Sequence, residues 1–262
     1  MKNTLLLTLA ALLLAVPAEL RAQEYKTKFS NRQNRKVVLD MQGSDVVVEG
    51  YDGDELVIQG KGGYEAPPAQ ANGLRAVYNS AQDNTRLGLS VTSEGDNTVR
   101  IVRASRHEGE YIVRVPRLTS VIFNQASWIG SGDVLMRDVA GRIEVNLKSG
   151  DMKLLNVSGP VVANTISGDI VVKFQNAPTE PSAISTVSGD VDITLPGSTK
   201  ASFSMRTISG EIYTDFDLAM GRDNSDNLQH IGGQTVDGRA NGGGTSFALK
   251  SVSGDIFVRK AK

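Results

Sequence analysis

Short runs rich in Val, Ile and Thr alternate along this chain with Gly, Asn, Asp and Ser, and no useful amphipathic helical spacing follows residue 22. Such alternation, broken every few residues by turn formers, predicts many short β-strands. The first fall at Lys36–Met41, Asp45–Gly50 and Glu55–Gly60. Tyr51-Asp52-Gly53-Asp54 reads as a tight connection between the last two, because Asp-Gly is a strong hairpin signal. Gly62 to Asn84, with Pro67-Pro68 and few β-branched residues, predicts a loop. Strands resume at Arg86–Thr92, Thr98–Ala104 and Glu110–Val115, and Pro116 closes the section.

From Ser131 onward the chain repeats itself. Ser131-Gly132-Asp133, Ser149-Gly150-Asp151, Ser167-Gly168-Asp169, Ser188-Gly189-Asp190, Ser209-Gly210-Glu211 and Ser253-Gly254-Asp255 are separated by 18, 18, 21, 21 and 44 residues. Gly141 and Gly159 fall midway between the first three, so the elementary unit is nine residues long. With the units aligned on glycine, the second position after it holds Val134, Ile143, Met152, Val161, Ile170, Val191, Ile212 and Ile256. The fourth holds Met136, Val145, Leu154, Ala163, Val172, Ile193, Thr214 and Val258. These positions are predicted to face inward. The interleaved residues, among them Glu144, Lys153, Asp192, Arg137 and Arg259, place the other strand face in water.

A nine-residue strand and turn, doubled to 18, suits one coil of an all-β solenoid, a β-helix-like stack in which each coil buries its apolar face on the next. An antiparallel β-sandwich or prism gives the same inward positions and stays open as the alternative. Glycine at the corner fits a φ above zero or a tightly packed backbone, and the preceding serine can bond a local backbone group. If the coils stack in register, Asp133, Asp151 and Asp169 form a row at strand spacing, about 4.8 Å, which Asp190, Glu211 and Asp255 continue. Close like charges repel, so the row poses a question. One reading is a line of calcium sites, as in Gly- and Asp-rich β-rolls. The preferred reading is that each carboxylate accepts N–H bonds within its own turn, since the alternate corners carry Arg142 and Pro160 in place of an acid.

The first residues change the picture of where the chain works. Lys2, the apolar run Leu5 to Val16 and small residues up to Ala22 read as a signal peptide spanning 1–22, too short to be a stable membrane span. The expected organisation is that leader, an N-terminal strand section 23–116, and a repeat section 117–262 of the same solenoid domain, with an inserted loop near 217–240. Export to the periplasm, outer cell surface or extracellular space follows from the leader. Removing it takes away Lys2, Arg21 and Glu19, leaving 26 basic and 28 acidic residues and a net charge of −2. So balanced a chain has no field to recruit nucleic acid or an anionic membrane. With no cysteine, disulfides, thiol nucleophiles and Cys-based zinc sites are excluded.

No reactive cluster stands out. His107 and His230 lie far apart with no metal-ligand spacing. Gly130-Ser131-Gly132 and Asn241-Gly242-Gly243-Gly244-Thr245 lead into no helix, as a phosphate loop must. Asp223-Asn224-Ser225-Asp226-Asn227 lacks the spacing of a calcium-binding EF loop. Arg100, Arg103 and Arg106 read as a solvated strand and turn, Asn156-Val157-Ser158 as an uninformative sequon, and Trp128 as a cap on the repeat core. No catalytic, cofactor or metal residues are assigned, and no cofactor is expected.

Tyr51-Asp52-Gly53-Asp54-Glu55, Val113-Arg114-Val115-Pro116, Thr165-Ile166-Ser167-Gly168-Asp169-Ile170 and the closing Asn241-Gly242-Gly243-Gly244 followed by Ser251-Val252-Ser253-Gly254-Asp255-Ile256 resemble the bacterial putative-adhesin domain family of β-strand-repeat proteins. The resemblance runs from about Val37 to Arg259. It implies a solenoid-like body and an export signal, and brings no catalytic or ligand residues. The expected function is a non-enzymatic exported scaffold or binding surface of the cell envelope, adhesin-like, with an envelope protein or glycan as partner and no nucleic acid or membrane span. The alternative is a carbohydrate-active β-helical enzyme using two edge carboxylates, which requires acids converging in a groove.

Overall fold

The computed structural model describes residues 23–220 and 234–262, apart from 65, 67, 75–80, 96, 106 and 126–131. The signal segment 1–22, Trp128, His230, Arg106 and the Asp223–Asn227 run lie outside the described residues.

The inward positions decide the architecture. Strands come in pairs, one strand in each of two facing sheets: β2 (Lys36–Met41) with β3 (Asp45–Tyr51), β8 (Ser120–Gln125) with β9 (Val134–Arg137), β10 (Ile143–Asn146) with β11 (Met152–Val157), β12 (Val161–Ser167) with β13 (Ile170–Phe174), and β14 (Ser182–Ser188) with β15 (Val191–Leu195). Each pair is one coil, and consecutive coils stack parallel without slippage at their inward residues. Val121, Ile143 and Val161 are partners across the second sheet, and Val46, Val134, Met152, Ile170 and Val191 across the first. The fold class is therefore the all-β solenoid, and the central coils are parallel, not an antiparallel sandwich.

The core lies between the sheets. Every residue predicted inward is buried except Ile212, which is half-buried, and Thr214, which is exposed. Both belong to β17 (Ile212–Thr214), the last strand of its sheet, with no coil beyond it among the described residues.

The ends of the stack depart from chain order. The first sheet runs β1-β4-β7-β3-β9-β11-β13-β15-β21-β17, where β1 is Gln23–Lys28, β4 Glu55–Gly62, β7 Gly109–Pro116 and β21 Ile256–Lys260. The second runs β18-β19-β16-β20-β14-β12-β10-β8-β2-β6-β5, where β5 is Leu89–Glu94, β6 Thr98–Arg103, β16 Ala201–Thr207, β18 Leu218–Met220, β19 Gln234–Ala240 and β20 Thr245–Lys250. The final coil, β20 with β21, is thus inserted between the coils β14–β15 and β16–β17. Phe247 of β20 is fully buried there, 5.8 Å from Phe174 on one side and 5.5 Å from Phe203 on the other. At the other end β6 and β7 intervene in the same way between β2–β3 and the outer strands β5 and β4.

Two strand expectations are corrected. The Asp52-Gly53 turn does not close a hairpin: β3 pairs parallel with β7 and β9, and β4 pairs antiparallel with β7. The hairpin at this end joins β5 to β6, pairing Glu94 with Thr98. The strand expected from Arg86 begins at Leu89. Residues 83–88 are held as a turn by the Asp83 carboxylate, which accepts the N–H groups of Thr85, Arg86 and Gly88 at 2.8–3.0 Å. Arg86 and Gly88 have φ of 61° and 78° there. Strands β1, β8, β14, β16, β18, β19 and β20 are further elements the pattern did not single out, and β18 and β19 fall within the span expected as an inserted loop near 217–240. Antiparallel strands flank both ends of the second sheet and the β1 end of the first, giving partners to edges that would otherwise stay open, while the first sheet ends on the parallel strand β17.

Candidate functional site

The Ser-Gly-Asp triplets form one corner of the coil, where the chain leaves the second sheet for the first. The glycines stack on one another. Gly150, Gly168, Gly189 and Gly254 have φ between 121° and 147°, a region closed to other residues. A Cβ on Gly168 would collide with the carbonyl oxygen of Gly150 in the coil below, and one on Gly254 with that of Gly189. Both reasons for glycine expected at the corner hold at once.

The acids form a line of hydrogen bonds between coils. Oδ1 of Asp45 accepts the N–H of Asp133 at 3.2 Å, Asp133 that of Asp151 at 3.0 Å, Asp151 that of Asp169 at 3.0 Å, and Asp169 that of Asp190 at 2.8 Å. Asp190 accepts the N–H of Asp255 at 2.7 Å, and Asp255 that of Glu211 at 2.8 Å. Each acid's own carbonyl accepts an N–H from the preceding coil, as in Ile170 to Asp190 and Ile256 to Glu211, both 2.9 Å. The glycine-bent corner sets each acid's N–H facing the neighbouring carboxylate, which accepts it.

This corrects two expectations. The carboxylates serve the next coil and not their own turn, and the row ends Asp190, Asp255, Glu211 because the last coil is inserted. Glu211 is the one glutamate among the triplets, and it stands at the corner just before the terminal strand, where no further coil among the described residues presents an N–H. Its carboxylate instead bonds the side chain of Gln234. Asp45 also joins the row, and Glu110 pairs with it in register. Sequence reading missed Asp45 because Gly43-Ser44-Asp45 reverses the Ser-Gly order, and Glu110 because Glu108 stands before Gly109 in place of a serine.

A second line runs beside the first. Thr165, Thr186, Thr207 and Ser251, three residues before each glycine, are buried. The hydroxyls of Thr186, Thr207 and Ser251 donate to the carbonyls of Gly168, Gly254 and Gly189 at 3.2, 2.9 and 3.1 Å. The recurring Thr or Ser at that position was the available signal.

The outward face of the second sheet carries a polar line of its own. Asn124 donates to Asp40 at 3.1 Å, Asn146 to Asn124 at 3.2 Å, Asn164 to Asn146 at 3.1 Å, and Ser185 to Asn164 at 2.7 Å. Arg100 closes it, bonded to Glu94 at 2.6 Å and to Asp40. Glu94 first, then Asp40, hold the Arg100 guanidinium above its ordinary pKa. Arg103 donates to the backbone oxygens of Ser105 and Gln42. His107 is exposed, its N–H bonded to Ser105 Oγ. Asn241 and the glycines after it form the β19–β20 turn, with Asn241 Nδ2 donating to the carbonyls of Gly197 and Thr199.

Among the described residues, no group of three or more His, Cys, Asp or Glu side chains is placed to hold a metal ion, and no helix is long and apolar enough to cross a membrane. The Ser-Gly-Asp corners fall within a segment that a family model matches. Residues 130–259 match the Toastrack DUF4097 family. The Toastrack match bears out the family resemblance read from the motifs and covers all the Ser-Gly-Asp corners. The earlier motifs Tyr51–Glu55 and Val113–Pro116 fall outside it. No curated protein matches the chain.

Solved structures share the outline loosely. A "putative cell adhesion protein" from Clostridium sporogenes aligns at 8% identity and TM-score 0.46, covering 92% of this chain and 100% of its own. A "putative adhesin" from Bacteroides fragilis gives 12% identity and TM-score 0.32, covering 91% and 97%. A "putative lipid binding protein" from Parabacteroides distasonis gives 10% and 0.32, covering 92% and 97%. Likenesses this distant carry nothing further.

Proposed function

We propose that the protein is a non-enzymatic β-solenoid of the cell envelope, exported by a leader spanning 1–22, whose mature part is one solenoid domain acting as a scaffold or adhesin-like binding surface. The observation that carries this reading is the use of the acidic row. Within the stack each aspartate Oδ1 is engaged by the N–H of the neighbouring coil, so the most repeated polar feature is spent on stacking. An enzyme of the glycosidase kind needs two carboxylates facing each other across a groove. Here the acids of the triplets stand singly in one line along one corner; where Asp45, Glu108 and Glu110 share a cleft at its first end, Lys61 lies among them and Asp45 Oδ1 is engaged by the Asp133 N–H. What remains for function is the outward faces of the sheets, long and regular surfaces that suit an extended glycan or a protein partner.

The test has two parts. N-terminal sequencing of protein recovered from the envelope fraction should begin at Gln23. The purified mature chain should retain an envelope polysaccharide or a defined envelope protein at physiological salt, and should release no reducing sugar from polysaccharide substrates. Failure to bind any such component, or turnover of a polysaccharide, contradicts the reading.

A further inference from the structure

We propose that the outward face of the first sheet, at its β17 end, is a binding site for an acidic sugar unit of a glycan, with Tyr213 and Phe257 as its platform and Arg259 as its anion contact. This rests on the reading of the chain as a binding surface and says where that surface engages its ligand.

The outward position that pairs across the first sheet is held in turn by Leu135, Lys153, Val171 and Asp192, then by Phe257 and Tyr213. Aromatic rings appear only on the last two strands of the row. They stack face to face, with centroids 5.3 Å apart and planes within 11°. Phe257 covers one face of Tyr213. The other looks beyond the sheet, because β17 is its terminal strand, and Tyr213 stays 50% exposed. A large ring held in water at that level is a platform for an apolar face, such as the C–H face of a pyranose.

The polar groups around it are fixed. Arg259 Nε donates to both carboxylate oxygens of Asp192 at 3.0 Å, which holds the guanidinium 4.9 Å from the Phe257 ring centre. Its bonds among the described residues run through Nε, which leaves the terminal nitrogens for a second, planar acceptor. Tyr213, Phe257, Arg259, Asp215 and Lys262 line a cleft of about 340 Å³. Asp215 accepts the backbone N–H of Lys260 at 2.8 Å, which secures the cleft floor. Arg259, Lys260 and Lys262 face two acids, the lining Asp215 and the Asp192 paired with Arg259, so one positive charge is left over and favours an anionic ligand. A peptide added as a further strand fits less well. The open edge β17 is three residues long and offers few main-chain bonds.

The decisive experiment titrates the mature chain with hexagalacturonate and hexamannuronate, with neutral cellohexaose alongside, by calorimetry at low and high salt. An acidic hexamer should bind more tightly than cellohexaose, and binding should weaken with salt. Tyr213→Ala and Arg259→Ala should each weaken it about tenfold or more, while Tyr213→Phe and the remote Lys153→Ala leave it unchanged. Melting of each variant shows that it is folded. If neither acidic hexamer binds, or if folded Tyr213→Ala binds like the parent, the site is wrong. If a β-strand peptide binds there and the acidic hexamers do not, the ligand class is wrong. A chain that retains an envelope component independently of Tyr213 overturns this site but leaves the broader reading standing. One that retains nothing overturns both.

Discussion

Asp169 sits between two coils and bonds to both: its N–H donates to Asp151 and its carboxylate accepts from Asp190. Removing the acceptor exchanges that bond for water at an exposed corner, so Asp169→Ala should lower unfolding stability by about 0.5–1.5 kcal/mol. Asp169→Asn, which keeps an acceptor oxygen, should lose less. Glu211→Ala should lose least, since Glu211 lies at the end of the row. Urea midpoints at unchanged m-value check the order, and equal losses at all three positions contradict it. Glycine gives the complementary case. Gly168→Ala places a methyl group against the Gly150 carbonyl at a φ of 139° and should destabilise by several kcal/mol. Gly95, with nothing within 4 Å of its added Cβ, should accept alanine with little change.

Among the elements, position within the stack governs cost more than residue type does. Ile170→Ala empties a site packed by coils on both sides and should cost about 2–5 kcal/mol, whereas Thr214→Ala on the terminal strand should cost close to nothing. Denaturant titration of the two, run together, measures the difference. The same distinction explains what the sequence reveals. The inward positions are legible because an apolar residue two and four places after glycine recurs in nearly every unit. The neighbours of each coil are not, because coils sharing one pattern and one register can stack in any order. Hence the Asp52-Gly53 hairpin signal was overridden by insertion of β7, and the row of acids appeared to run in chain order. A hint was present in Glu211. A residue too long to copy the aspartate geometry marks the coil that has no successor. The open platform of Tyr213 and Phe257 was not legible, since exposure there depends on which strand ends the sheet.

At the scale of the molecule, the stack is closed by chain that returns. The last coil enters between two earlier ones, so residues 245–262 tie β14–β15 to β16–β17 and cover Phe174 and Phe203. A chain ending at residue 240 should lose the cooperative unfolding transition of that end, while removal of the exposed edge strand β1 should leave the main transition in place. Circular dichroism and fluorescence melts distinguish the two. The row of carboxylates, read as a backbone acceptor line, also predicts that millimolar calcium or its chelation leaves the melting temperature unchanged. A rise with calcium would assign the row to cation binding.

The central claim, that the acidic corner holds the coils together through backbone bonds, is tested most directly by hydrogen exchange of single amides. In the parent protein the N–H groups of Asp151, Asp169, Asp190 and Asp255 should be protected to a degree close to that of the core strand amides around them. In Asp169→Ala the Asp190 amide should lose protection selectively while that of Ile170, bonded to the Asp190 carbonyl, keeps most of its own. Rapid exchange of these amides in the parent, or an Asp190 amide indifferent to loss of the Asp169 carboxylate, would contradict the account.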